Sequence, residues 1–277
     1  MRYNICIVQP NQYIHSLAFM ELGELLLYSL QDLGFQAEIQ FNQINPDARN
    51  ILIGCHLLDT NHITSIPKST VILNTEQIYA DSTDWSGPIF EWTKYFETWD
   101  YSERNILKFN ELGIGLARHL KIGFQKELAR IPKANAKDID VLFYGSMNER
   151  RLAIINDLKA SGLKVHTAFG IYGAERDKLI SKAKIVLNHH FYQSQIFEII
   201  RVFYLLTNSI AVVGEVNPNS SIDPIYLDGI FASPYENLTS ACIQLIQDGA
   251  LRKQLENKAY ETINQYPQKR FTAELLS

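Results

Sequence analysis

The chain has 277 residues, of which 46% are hydrophobic and 20% charged, enough for two domains of ordinary size. A formal net charge of -4 argues against a nucleic-acid binder, which would be distinctly basic. No apolar run approaches the roughly 18–20 residues needed to cross a bilayer. Cys6, Cys55 and Cys242 are too few and too widely spaced for a metal or disulfide framework, so a cytoplasmic setting is expected.

In chain order, Asn4–Val8 reads as a first strand, followed by a helix that Ser16 can cap and that Gly34 ends. Strands are predicted at Gln36–Gln40, Asn50–Gly54, Thr70–Asn74, Phe96–Trp99 and Gly115–Lys121, with helical periodicity between several of them, notably Ser102–Phe109. Residues 1–122 form a first domain, and 123–138, with Ile131-Pro132 and small polar residues, a linker. The alternation then restarts over 139–277. Strands are expected at Ile139–Tyr144, Leu163–His166, Ile185–Leu187, Ala211–Gly214 and Gly229–Ala232. Helices are expected over Glu149–Ala160, Ala174–Ala183, the Glu198 segment, Glu236–Gln247 and Leu251–Gln265. The fold class is α/β: two doubly wound Rossmann-like domains facing a cleft.

Two stretches carry chemistry. In Asp140-Val-Leu-Phe-Tyr-Gly145-Ser146-Met-Asn148-Glu-Arg150-Arg151, a strand, a tight turn and a helix start suit a phosphate, and the two arginines add charge. In Asn188-His189-His190 through Phe197-Glu198-Ile-Ile-Arg201, Glu198 and Arg201 share one face near a helix start. That is just past the carboxyl end of a strand, where open α/β sheets bind ligands. Glu198 could hold ribose hydroxyls and Arg201 the phosphates, or the two could form an ordinary ion pair. His190 would line the cleft; adjacent histidines with no third ligand nearby do not suggest a metal. Asp138-Ile-Asp140 opens a strand at the end opposite the crevice. In the first domain His15 follows the first strand, Glu76 follows Thr70–Asn74 and Asp100 follows Phe96–Trp99, at corresponding strand ends. His15 has the chemistry of a general base, with Glu76 or Asp100 supporting or replacing it.

These residues resemble the two-domain GT-B glycosyltransferases, and more narrowly the bacterial family-1-like or CgeB-like group. The resemblance is carried by Asp140–Ser146 with Glu149-Arg150-Arg151, by Ala183–Asn188, by Phe197–Arg201, and by Ala211-Val-Val-Gly-Glu215. Pro10–Ser16 and Asn74–Gln77 carry it in the first half. It implies metal-independent transfer of a sugar from a nucleoside-diphosphate donor, UDP- or GDP-linked, to a glycan, lipid, small-molecule or protein acceptor, with no further cofactor. Gly145, Ser146, Arg150, Arg151, Tyr172, Asn188, His190, Glu198 and Arg201 would bind the donor, and Gly170–Gly173 would wall the base. Gln195 stands eight positions before Phe203, where many retaining members carry the first of two glutamates. The alternatives are an epimerase or hydrolase of the same fold, or a non-catalytic partner that binds a nucleotide-sugar.

Overall fold

The computed structural model describes residues 1–78, 83–134 and 136–277. It divides into two compact units, Met1–Gln125 with Pro267–Ser277, and Lys126–Tyr266.

The first unit is a six-stranded parallel sheet. Its strands are β1 (Arg2–Ile7), β2 (Gln36–Phe41), β3 (Arg49–Ile53), β4 (Val71–Asn74), β5 (Glu97–Asp100) and β6 (Ala117–His119). They lie in the order β2-β1-β3-β4-β5-β6. The central strands are near-continuous apolar runs because both sheet faces are covered; Ile5, Ile7, Ile51, Ile53, Val71 and Ile72 are all inaccessible. Edge strands β2 and β6 are only half-buried. Helix α1 (Met20–Asp32) buries Leu22, Leu25, Leu26, Ser29 and Leu30, a stripe of helical period. Gly34, at φ +85°, ends it, and Phe35 N–H reaches back to Leu30 O at 3.0 Å. Ser16 does not cap this helix. It lies inside a 3₁₀ segment, Ile14–Phe19, and α1 begins only at Met20, with no side-chain cap. Helix α2 (Thr83–Thr93), masked in the sequence by Gly87 and Pro88, and α3 (Glu103–Glu111) complete the chain order here.

The second unit is a five-stranded parallel sheet: β7 (Ile139–Tyr144), β8 (Val165–Ala168), β9 (Ala183–Asn188), β10 (Val212–Glu215) and β11 (Phe231–Ser233). Between them run α4 (Glu149–Ala160), α5 (Gly173–Lys182) and α6 (Ile199–Thr207), followed by α7 (Leu238–Gln247) and α8 (Gly249–Asn264). The order β11-β10-β9-β7-β8 reverses direction between β7 and β9. Helix α6 is buried from Val202 to Thr207, which fixes its first turn relative to the sheet.

The last helix, α9 (Gln268–Leu276), belongs to the first unit, whereas the sequence reading carries the second domain to residue 277. Hydrogen bonding explains the return. Buried Gln268 accepts from Gly123 N–H at 2.6 Å and donates to Lys121 O at 3.1 Å, and its own N–H reaches Phe124 O at 2.8 Å. Thr272 meets Ser29 of α1 at 2.9 Å, and Phe271 and Leu275 are buried one turn apart. The expected linker is likewise anchored at its centre. Asn208 accepts from Ile131 N–H at 2.7 Å and donates to Leu128 O at 2.8 Å, which places residues from Lys126 onward in the second unit.

Candidate functional site

The topological switch of the second sheet lies between β7 and β9, where open parallel sheets bind ligands beyond the carboxyl strand ends. β7 runs into Gly145 at φ +136°, a backbone region that side chains rarely enter. A Cβ there would stand 3.1 Å from Arg201 Nη2 and 3.7 Å from Arg151 Nη1, so glycine lets the backbone pass beside two guanidinium groups. Asn148 caps α4 by accepting from Arg151 N–H at 2.9 Å, and its amide donates to Phe191 O at 3.0 Å. One of the first-turn N–H groups of α4 is therefore satisfied by a side chain.

Arg151 is 2% exposed, and its donors are consumed inside the protein. It reaches His189 O from Nε at 3.1 Å and from Nη2 at 2.6 Å, Ser146 O at 3.0 Å, and Glu198 Oε1 at 3.2 Å. The rings of Phe143 and Phe191 flank it at 5.2 Å each. Burial lowers its pKa to about 10, which leaves it charged at neutral pH. It ties the turn after β7 to the loop after β9.

Glu198 stands at the N-cap of α6, one residue outside the helix, yet caps no helical N–H. Its carboxylate turns instead to Arg151 and to Asn188, whose Nδ2 donates at 3.1 Å. His190 Nδ1 lies 3.8 Å away, and its Nε2 meets Ser220 Oγ at 3.0 Å. Arg201 does not pair with Glu198. Its side chain lies over the Tyr144 ring at 5.4 Å and makes one long bond, 3.5 Å, to Asn188 Oδ1. A half-exposed guanidinium with donors to spare thus stands on the first turn of a helix that no side chain caps. Ile199, Arg201 and Val202 N–H already bond Phe197 O and Glu198 O, so what suits an anion here is the helix dipole together with the available arginine.

Arg150 is committed elsewhere. It grips Glu215 through both guanidinium nitrogens, one contact at 2.7 Å, donates to His190 O at 3.1 Å, and lies over the Tyr235 ring at 3.8 Å. Glu215 is inaccessible and also accepts from His190 N–H at 2.9 Å and Asn217 Nδ2 at 2.6 Å. These donors hold its carboxyl below the ordinary range despite burial, which acts in the other direction. Arg150 therefore contributes neutralised charge rather than a free phosphate ligand. Glu215 is the residue the sequence reading passed over as a functional position. Its signal was an acid closing the apolar run Ala211-Val-Val-Gly-Glu215, at the same strand end as the site.

The remaining donor-side positions fall at the same edge. Ser146 is exposed, with its carbonyl taken by Arg151, and Tyr172 is the half-buried N-cap of α5 between Gly170 and Gly173. His189 is buried against Phe143, and desolvation lowers its pKa to about 3, so it stays neutral. Asp140 is bound by Lys184 at 2.6 Å and by Lys164 N–H at 2.8 Å, at the opposite end of β7. Among the described residues no group of three His, Cys, Asp or Glu side chains is placed to hold a metal ion. Gly145→Ala is expected to cost about 1–3 kcal/mol of stability through backbone strain, which thermal melts of the two proteins check.

In the first unit the expected residues also lie at carboxyl strand ends, each with its own surroundings. His15 follows β1 in the 3₁₀ segment, edge-on to Tyr13 at 5.0 Å. Glu76 follows β4 and faces His56, Nε2 to Oε1, at 3.5 Å. His56, which follows β3, was not singled out from the sequence; nothing local marks it, since its partner lies a strand away. Burial lowers its pKa, and Glu76 opposes that shift. Asp100 is inaccessible. Its oxygens accept from Asn74 Nδ2 at 2.7 Å, Ser102 N–H at 2.7 Å and Asn105 Nδ2 at 3.1 Å. It joins the ends of β4 and β5 to the start of α3, a holding role rather than contact with a substrate proton.

Burial pushes Asp100 from the usual 3.8 to about 7, against the pull of those three donors. A folded pKa above the unfolded one means stability present in full below about pH 4 and lost as pH rises through 7. Asp100→Asn is expected to flatten this part of the stability profile, read as urea midpoints between about pH 4 and 8. An unchanged slope would show that the carboxyl stays ionised throughout.

No protein-family model matches the chain. Three uncharacterized proteins of Acanthamoeba polyphaga mimivirus are similar to it in sequence. One is 26% identical over 209 residues, covering 73% of this chain and 67% of that protein. The others are 32% identical over 114 residues and 30% over 161, and these segments cover only 13% and 20% of the longer relatives. Solved structures match almost end to end. T4 phage β-glucosyltransferase superposes with a TM-score of 0.63 at 13% identity, covering 99% of this chain and 98% of that one. The fold is GT-B. Anabaena HepE in complex with UDP-glucose gives 0.60 at 11% identity over 100% and 99% of the two chains. WaaG, a glycosyltransferase involved in lipopolysaccharide biosynthesis, gives 0.59 at 10% identity over 99% of each. Both parallel sheets and their helices belong to this GT-B architecture, and no described helix is long and apolar enough to cross a membrane.

Proposed function

We propose that the chain is a glycosyltransferase of the CgeB-like kind that takes a sugar from a uridine diphosphate donor held by the second unit. The observation that carries this reading is Arg201, with unspent donors, on the first turn of α6 at the β7/β9 switch. A diphosphate fits that arrangement, and Glu198, held by Arg151 and Asn188, keeps acceptor capacity for ribose hydroxyls beside it. Structural neighbours with UDP or UDP-glucose bound support the choice of base. Three free, buried cysteines, whose pKa values burial raises to about 11 or 12, support a reducing, cytoplasmic setting.

Transfer breaks the bond between the anomeric carbon and the diphosphate and joins that carbon to an acceptor oxygen. Arg201 and the α6 terminus offset the charge that develops on the leaving diphosphate. The acceptor proton goes to a group on the first unit, His15 or the His56–Glu76 pair. Incubation with UDP-glucose and related donors, with release of UDP as the readout, tests the reading. Release is expected to continue in EDTA, because the cationic partner is an arginine. Activity lost in EDTA and restored by magnesium or manganese would contradict metal independence. His15→Ala and His56→Ala separate the two bases: the true one is expected to lower turnover by roughly 10²–10⁴-fold with donor affinity unchanged.

A further inference from the structure

The carboxyl edge of the first sheet differs in chemistry from that of the second. Its own switch point lies between β1 and β3. The segments that follow β1, β3 and β4 there, residues 8–19, 54–66 and 75–78, contain no lysine or arginine. The basic residues nearest to them in sequence, Arg2, Arg49 and Lys68, lie at or before strand starts, at the other edge; at the carboxyl edge Arg104 enters with α3, after β5, and Lys121 follows β6, the outermost strand. The whole first unit carries ten basic against fifteen acidic side chains. Phosphate-bearing ligands are gathered by clustered cations, and a nucleic acid or anionic lipid surface would meet net repulsion here.

What the edge offers instead is amides, a carboxylate and an aromatic ring. Asn11, Gln12 and Tyr13 are exposed, and Asn11 and Gln12 are held at φ 48° and 58°, a left-handed conformation that L-residues adopt at a cost. Reciprocal bonds fix the loop. Gln9 N–H donates to Asn42 Oδ1 at 2.6 Å, Asn42 Nδ2 donates to Gln9 O at 2.8 Å, and Tyr13 N–H closes on Pro10 O at 2.8 Å. Asn and Gln side chains both donate and accept, which matches the two-way hydrogen bonding of hydroxyl groups, and an exposed tyrosine offers an apolar face with a polar tip.

We propose that the acceptor is a neutral, hydroxyl-rich saccharide, recognised at the loop Gln9–Tyr13 on the carboxyl edge of the first sheet. This rests on the glycosyltransferase reading and narrows it to one acceptor class. The test uses the full chain with radiolabelled UDP-sugars, offered neutral oligosaccharides, sulfated or phosphorylated ones, duplex DNA and anionic phospholipid vesicles, beside an array of neutral glycans for binding. Transfer to a neutral saccharide is expected, with a KM for the saccharide, at saturating donor, that changes less than about twofold between roughly 50 and 500 mM salt, because its binding releases no counterions. Tyr13→Ala, at an exposed site, is expected to raise KM for that saccharide about tenfold and leave the thermal shift caused by UDP unchanged. Preferred transfer to DNA, phospholipid or anionic glycans overturns the inference, as does unaltered KM in the Tyr13 variant. UDP binding with no neutral saccharide bound or modified also overturns it and leaves the donor reading standing. Absence of UDP binding overturns the donor reading itself.

Discussion

Arg201→Ala is expected to weaken UDP binding by roughly ten- to a hundredfold while the melting temperature of the unliganded protein stays near that of the wild type. A hydrogen bond to a charged group contributes about 1.5–3 kcal/mol, which sets that range. Stability is spared because Arg201 is half-exposed and, among the described residues, its only bond to another side chain is the long one to Asn188. Isothermal titration of UDP, with a thermal melt of the same preparations, checks both halves. Full affinity in a folded variant would return Arg201 to the surface of α6. A collapse in stability would mean that its packing over Tyr144 is structural.

Arg150→Ala is expected to have the opposite profile. Removing this partner leaves Glu215, an inaccessible carboxylate, with the His190 N–H and Asn217 as its remaining donors. Because Arg150 is itself a third exposed, the cost is set at the low end of the about 3–5 kcal/mol for breaking a buried pair. In a chain of this size that corresponds to a loss of melting temperature on the order of 10 °C. Glu215→Gln keeps the shape and removes the charge, so it is expected to be milder, though it leaves Arg150 to find water. Both arginines belong to the expected donor set, and only their pairing tells them apart. A stable Arg150→Ala protein with lost UDP affinity would show that Arg150 does reach the phosphates and that the Glu215 pair opens when ligand binds.

That contrast also marks how far the sequence could be read. The strand–helix alternation, the Gly145 turn and the Glu198–Arg201 segment were visible because they are local: apolar runs, one glycine, two charges three residues apart. The sharing of charge was not. Arg150 meets Glu215 across 65 positions and Arg151 meets Glu198 across 47, distances over which no periodicity speaks. Glu198 and Arg201 have the spacing of a helical pair, yet Glu198 stands outside the helix, where its backbone at φ -78° and ψ 60° turns the carboxylate toward β7 and β9 partners. The return of α9 escaped for the same reason. Its apolar residues Phe271 and Leu275 suggest a helix but not which sheet it joins, and the choice is made by Gln268 against the strand-exit segment at Lys121 and Gly123. In the first unit, His15, Glu76 and Asp100 were correctly placed at strand ends, but only the structure shows Asp100 satisfied by three neighbours and Glu76 facing His56.

The central claim is that the β7/β9 switch of the second unit binds a nucleoside diphosphate through Arg201 and the first turn of α6. Titration of UDP into the wild-type protein tests it most directly. Saturable binding of one equivalent is expected, stabilising the fold by about 2.7 kcal/mol at a hundredfold excess over the dissociation constant. No heat and no thermal shift at millimolar UDP, in a preparation whose melt shows a cooperatively folded protein, would contradict it.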